Sequence, residues 1–307
     1  DCRMMKRDFY GYGNSPPDVK WPNNSAVAVS IVVNVEEGAE LSLMDGDERN
    51  EFIHEINEEI VGNPDLCMAS HFSFGTRSGY WRISKVLSDF GIAVTFSCCG
   101  RAAERSGWLV KHAVENGHEI SCHGWRWEKQ SGMDEKQERE IISKTYKTIS
   151  EKSITPPVGW HTRSASSLNT RRLLIEHGGF LYDSDAYDDD VPYTIESNGQ
   201  THVVLPYAFD TNDMRFQNGG GFIHADDFSK YCLAAYDRLL EEGQKFPRML
   251  SIGTHLRIIG KAGRIAALEK LIGEIKKRGG YWFATRREIA EYWREAIGLP
   301  LWNAKNR

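Results

Sequence analysis

The chain has 307 residues, 40% of them hydrophobic, and 38 Lys and Arg against 43 Asp and Glu give a formal net charge of −5. That composition supports a sizeable core, and mixed signs without a Lys/Arg block exclude a nucleic-acid-binding stripe. No apolar run reaches the ~18 residues of a membrane span, and the opening DCRMMKRDFYGYG lacks the apolar stretch of a secretory leader, so a cytoplasmic protein is expected.

In chain order, residues 1–25 read as an N-terminal extension packing on the body of a single domain spanning 1–307. Residues 26–33 (AVAVSIVV) form a near-continuous apolar run, the mark of a strand buried on both faces. Residues 45–69 show no clear element and are expected to form a loop-rich wall near a pocket or a subunit contact. A helix over 80–90 closes at Gly91, and a strand follows over 92–97. Residues 109–116 are helical with Gly117 as the stop, and 118–122 are strand-like. Asp-Glu opens a helix over 134–152, where its charge suits the helix N-terminus. Helices over 169–177, 226–242, 266–277 and 286–296 then alternate with strands over 180–182, 202–205, 249–252 and 281–283. About seven β/α units with no linker and no internal repeat favour one mostly parallel, barrel-type α/β domain. No GxGxxG follows a strand and no P-loop occurs.

The six cysteines (Cys2, Cys67, Cys98, Cys99, Cys122 and Cys232) form no CxxC pair and read as reduced thiols. Cys98 and Cys99 are adjacent on a strand and face opposite ways, so they do not make a metal or redox pair.

Reactive residues recur just after predicted strand ends: Glu36-Glu37 after the first, His123 after ISC, His161 after VGW, and His255 after SIG. In α/β barrels that face carries the chemistry, because the βα loops converge there. Burial and a like-charged neighbour both raise a carboxyl pKa, so Glu36-Glu37 is expected to supply a base working near neutral pH. Arg77, between glycines in SFGTRSGYWR, has the fork to hold a carboxylate or carbonyl oxygen. Asp183 and Asp185, and Asp210, Asn212, Asp213 and Arg215, are polar clusters after strands, a pattern that solvated loops also show. Trp125, Trp127 and Trp160 flank the set as core residues or substrate stackers. His112 and His118 read as structural.

RDFYGYG, NVEEGAE, FGTRSGYWR, GHEISCHGWRW, NTRRLL with GGFLYDSDAY, and DTNDMRF with THLRIIGKAGR occur in this order from about Arg7 to about Trp293. Together they resemble the polysaccharide deacetylase superfamily (NodB homology, carbohydrate esterase family 4). Within it they look most like the branch of metal-independent, PuuE-type allantoinases and cyclic imide hydrolases. The resemblance implies a distorted, incomplete (β/α) barrel, with Glu36 as catalytic base and His255 as catalytic acid. It implies Glu37 and His123 at the family's metal positions, and puts Arg163 and Asp183 in the regions that orient the base and support the acid. The deacetylases carry a second metal histidine four residues after the first; here that position is Trp127, whose indole donates only. His161 is the substitute ligand if a metal such as zinc is held. This sequence also has Ser73 where that branch often carries Glu, and His161 where Tyr is common.

The expected activity is therefore hydrolysis of a carbon–nitrogen bond in a small cyclic amide, imide or ureide, without a cofactor. Glu36 takes a proton from water, His255 protonates the leaving nitrogen, and Arg77, His123 or backbone N–H groups stabilise the oxyanion. Arg77, His123, Trp127, Trp160, His161, Arg163 and Asp183 are the expected substrate-binding residues. A metal-dependent deacetylase and a catalytically idle binding protein stay open as alternatives. Relatives of this kind are commonly homo-oligomers, and no nucleic-acid or membrane partner is expected.

Overall fold

The computed structural model describes residues 7–53, 58–163 and 165–304; Cys2, His54 and the rest of 54–57 lie outside that set. The first strand, β1 (Val27–Val35), is buried over its whole length. It is followed by α1 (Leu66–Phe74), a π-helical turn over Gly75–Gly79, α2 (Tyr80–Phe90) and β2 (Thr95–Cys98). Then come α3 (Gly100–Arg105), α4 (Gly107–Glu115), β3 (Glu119–Cys122), α5 (Glu135–Ser153), β4 (Gly159–Trp160), α6 (Thr170–His177) and β5 (Tyr182–Asp183). A hairpin of β6 (Tyr193–Ser197) and β7 (Gln200–Val204) precedes a 3-10 turn over Asp213–Phe216 and α7 (Ala225–Glu242). The chain ends with β8 (Arg248–His255), α8 (Ile265–Arg278), β9 (Tyr281–Phe283) and α9 (Arg286–Ala296).

The strands form one curled sheet in the order β6-β7-β5-β4-β3-β2-β1-β8, with β9 beside the start of β1. Every pairing is parallel except the β6–β7 hairpin. Its turn, Asn198-Gly199, has positive φ at both residues, the geometry that an Asn-Gly pair adopts most readily. Across the seam between the two ends of the sheet, a single parallel bridge joins Asn212, in the segment after β7, to Gly253 on β8. Arg286 completes the seam from inside. Its guanidinium donates to Ser30 Oγ on β1, Ser251 Oγ on β8, Ser184 Oγ, and the carbonyls of Leu205 and Pro206. Five neutral oxygens thus solvate a buried cation and stand in for the missing strand contacts. The result is an incomplete barrel with helices outside, as the sequence pattern and the resemblance imply.

Trp21, 1% exposed, donates its indole N–H to the Arg248 carbonyl at 2.8 Å and packs against Trp282, Tyr292 and Trp293. Removing such an indole costs about 3–5 kcal/mol. The five described cysteines are free thiols, four of them buried. Among the described residues, no helix is long and apolar enough to cross a membrane.

Four elements escape the sequence pattern, among them the six-residue α3. β4 is two residues long, too short to show a period. β6 is only half-buried and lacks an apolar face. α1 begins inside the stretch 45–69, where Asp65 caps it by accepting from Met68 N–H at 2.9 Å.

Candidate active site

A cavity of about 260 Å³ opens at the C-terminal ends of the parallel strands. Its polar walls are Asn34, Glu36, His123, His161, Arg163, Tyr207, Asn212, Gln217, His255 and Arg257; Phe52, Ile53, Trp127, Tyr187, Phe209 and Met214 supply the rest. Four of the residues expected from strand ends thus converge: Glu36 follows β1, His123 follows β3, His161 follows β4, and His255 ends β8. The stretch 45–69 contributes Phe52 and Ile53 to one wall.

Glu36 is 1% exposed. Its Oε1 lies 3.5 Å from His123 Nε2 and 3.4 Å from His255 Nε2, while Oε2 accepts from Arg257 Nη1 at 3.1 Å. Burial alone would raise its pKa. The facing cations Arg257 and His255, with hydrogen bonds from both histidines, override that and hold the carboxyl well below its usual range. This corrects the expectation of a base raised toward neutrality: Glu36 is ionised because it is partnered. The raised carboxyl is Glu37, pushed to about 7 mainly by burial.

His255 has the opposite bias. Burial would lower its pKa, but Asp213 and Glu36 raise it to about 10, so the ring carries two protons at neutral pH. Asp213 Oδ1 accepts from His255 Nδ1 at 2.6 Å, and Oδ2 accepts from the backbone N–H of His255 and Ile259. These bonds fix the imidazolium with Nε2–H toward Glu36 and the cavity. An ionised carboxylate and a protonated imidazole therefore share one cavity, which is the pairing that acid–base hydrolysis needs.

Arg257 and Asp213 do the orienting that Arg163 and Asp183 were expected to do. Arg257, 1% exposed, stacks over Phe72 at 4.4 Å and holds both Glu36 and Glu37. Its loop is seated by glycines: a Cβ on Gly79, in the π-helical turn, would stand 2.1 Å from the Leu256 carbonyl oxygen. Asp183 is instead buried in an ion pair with Arg171 and a hydrogen bond with His202, away from the cavity. Arg163 faces the cavity itself.

Two further expectations are corrected. Arg77 is exposed on the π-helical turn and does not line the cavity: of the glycines around it, Gly79 serves the packing against Leu256 and Gly75 makes room for Glu37. Trp160 is fully buried in the core with its indole N–H on Thr162 Oγ1; on β4 its side chain points outward and that of His161 inward. Ser73 is exposed on α1 and borders a separate cavity that reaches Glu37 from the other side. Tyr207 and Asn34 are additional cavity residues without a sequence signal of their own. Asn34 Nδ2 donates to the Tyr207 hydroxyl at 3.1 Å.

The donor set does not fit a divalent ion. Glu37 turns its carboxylate to the Glu36 backbone N–H and to Arg257, and a Cβ on Gly75 would touch it at 2.7 Å. His123 hands its Nδ1–H to the His161 carbonyl at 2.7 Å and directs Nε2 at Glu36. The His123 and His161 rings are stacked 8° from parallel at 5.2 Å, so their in-plane lone pairs do not converge. His161 commits Nδ1 to the Ser184 carbonyl and Asp185. Among the described residues, no group of three or more His, Cys, Asp or Glu side chains forms a metal-binding cluster.

Comparison with known proteins agrees with this architecture. The family model for polysaccharide deacetylases matches residues 62–179. A Schizosaccharomyces pombe protein assigned to the polysaccharide deacetylases is 36% identical over 309 residues, covering 94% of this chain and 96% of its own. The crystal structure of Puue allantoinase superimposes with a TM-score of 0.91 at 40% identity, covering 96% of this chain and 99% of that one. A Pseudomonas aeruginosa PAO1 protein assigned to the polysaccharide deacetylases gives the same TM-score and identity, covering 96% and 100%. By sequence and by fold, the chain belongs to the polysaccharide deacetylase family, a family of hydrolases.

Proposed function

We propose that this protein opens a cyclic amide, imide or ureide by hydrolysis of a ring carbon–nitrogen bond, with Glu36 as general base, His255 as general acid and no bound metal. The observation that carries the reading is the pair itself: Glu36 ionised against Arg257, and His255 doubly protonated against Asp213, both lining one cavity. The similarity to Puue allantoinase over nearly the whole chain supports the ring as the substrate class.

Water bound at Glu36 Oε1 gives one hydrogen to that carboxylate, beside the His123 ring that the His161 carbonyl holds in place through Nδ1. Its oxygen attacks the ring carbonyl while Glu36 takes the proton. The Tyr207 hydroxyl accepts from Asn34, and burial keeps it protonated, so its own hydrogen is available to the oxyanion. Collapse breaks the C–N bond as His255 Nε2–H protonates the nitrogen. Glu36 then returns its proton to His255 across 3.4 Å, leaving a carboxyl group, a freed N–H and the starting enzyme.

A nitrogen acylated on both sides leaves more readily than that of an ordinary acetamide. General acid–base catalysis, worth roughly 10²–10⁴-fold, is therefore better matched to an activated ring than to an N-acetyl sugar. The test is turnover of allantoin, hydantoin, dihydrouracil, succinimide and glutarimide, with an N-acetylated sugar alongside, by chelator-treated protein. Opening of any ring is the expected result. Deacetylation of the sugar alone, dependent on added zinc, would move the reading to the deacetylases, and binding without turnover would make the protein an idle member.

A further inference from the structure

With Arg257 holding the base, Arg163 has no part in orienting it, and its surroundings assign it another role. It lines the cavity with its guanidinium over the Trp127 indole, 3.7 Å from the ring centre, and Nη1 donates to the Trp127 carbonyl at 3.3 Å. The other cavity cations are matched: Arg257 by Glu36 and Glu37, and His255 by Asp213 and Glu36. Among the described residues, no carboxylate lies within ion-pair distance of Arg163. Glu51, close enough for its charge to be eased by Arg163, turns its Oε2 to the Leu41 N–H instead. Glu36 and Asp213 offset His255 and Arg257, which leaves Arg163 as the surplus positive charge on the cavity wall. The same cavity is lined by Phe52, Ile53 and the stacked pair Tyr187–Phe209, with ring centroids 4.0 Å apart.

We infer that Arg163 receives a carboxylate carried by the substrate, so that the preferred ring bears an anionic side chain. The inference rests on the ring-opening reading for its substrate class. A guanidinium pinned on an aromatic face keeps a free edge in a fixed plane, and that edge matches a carboxylate bidentately. At about 260 Å³ the cavity is also larger than a bare five- or six-membered ring requires. The negative charge would sit against Arg163 while Glu36 and His255 act on the ring.

The test compares two rings of equal size, 5-carboxymethylhydantoin and its neutral amide, 5-(carbamoylmethyl)hydantoin, with full-length wild type, Arg163→Gln and Arg163→Lys. Wild type is expected to favour the carboxylate by about 10–100-fold in kcat/KM, the worth of one charged hydrogen-bonded contact, with the difference in KM. Arg163→Gln should bring the ratio to about one, and Arg163→Lys, which keeps the charge but loses the fork, should fall between. Equal kcat/KM for the two rings in wild type, or an equal loss for both in Arg163→Gln, would overturn the role. If neither ring is opened, the hydrolytic reading fails for this class, and calorimetric binding decides the role of Arg163 separately. A carboxylate preference that vanishes in Arg163→Gln sustains it, and equal Kd values for the two rings overturn it.

Discussion

The two ends of β3 each carry a buried histidine beside a glutamate, and only one of these pairs faces the candidate site. At the start of the strand, Glu119 accepts from Thr95 Oγ1, the Arg287 backbone N–H and the Tyr182 hydroxyl, all within 2.9 Å. His118 accepts the Val94 N–H on Nδ1, and burial lowers its pKa to about 4. A cavity of about 210 Å³ lies over them, yet both Glu119 oxygens are held by the scaffold. At the other end, Glu36 has one close donor, Arg257, and two imidazole nitrogens at 3.4–3.5 Å. A buried histidine is common to both ends. What separates them is the partner: scaffold donors hold both oxygens of Glu119, whereas Glu36 keeps one oxygen toward groups that exchange protons.

The sharpest way to break this contrast is to neutralise each glutamate in turn. Glu36→Gln is expected to lower kcat for ring opening by about 10³-fold, within the range for a lost general base, with its fold retained. Glu119→Gln should leave kcat within about twofold and instead cost stability by about 1–3 kcal/mol, since it leaves donors at a buried site poorly matched. Thermal melts beside steady-state kinetics read both.

Removing the ion that holds His255 comes next. Asp213→Asn should lower kcat by about 10²-fold, the lower range for impaired general-acid catalysis. It should also move the alkaline limb of the pH profile. Wild-type His255 keeps its proton up to about 10, and without Asp213 that limb falls toward the ordinary histidine value of about 6.5. Tyr207→Phe is expected to cost about 10–100-fold in kcat with little change in KM, as for a lost oxyanion donor in a site that keeps its other contacts.

The smallest effects are in the pH dependence of stability, where the two ends differ in sign. Glu37, raised to about 7 from an ordinary 4.5, favours the folded state while protonated, and that contribution is lost as pH rises from 4.5 through about 7. Glu37→Gln should therefore raise the melting temperature at pH 8 more than at pH 5. His118, lowered to about 4 from 6.5, contributes stability above 6.5 that is lost as pH falls toward 4. His118→Gln should flatten that acid-side decline and leave ring opening unchanged.

Much of the site was legible in the sequence because parallel β/α architecture turns position into function: whatever follows a buried strand arrives at the same rim. Glu36, His123, His161 and His255 were reached that way, and the family resemblance gave Glu36 and His255 their roles. The tethers were less legible. Asp213 sits in DTNDMRF, which in sequence looks like any acidic loop; the parallel bridge between Asn212 and Gly253 brings it to His255, a pairing across 41 positions of chain that no local pattern displays. Arg257 lies only two residues past His255, yet its role depends on Gly79 letting the π-helical turn meet the Leu256 backbone. Arg77 misled for a related reason, since its flanking glycines serve packing, Gly79 on Leu256 and Gly75 on Glu37. Trp160 and Asp183 were one position out of phase with the side chains that face inward, an error that a two-residue strand gives no pattern to correct.

The most direct test of the central claim is ring opening by protein stripped of metal, followed through a zinc titration, on whichever ring the wild type turns over. The account predicts full turnover at zero zinc, no rise as zinc is added, and loss of turnover in metal-free Glu36→Gln. Turnover that is absent until zinc is restored, or that survives Glu36→Gln, would contradict it.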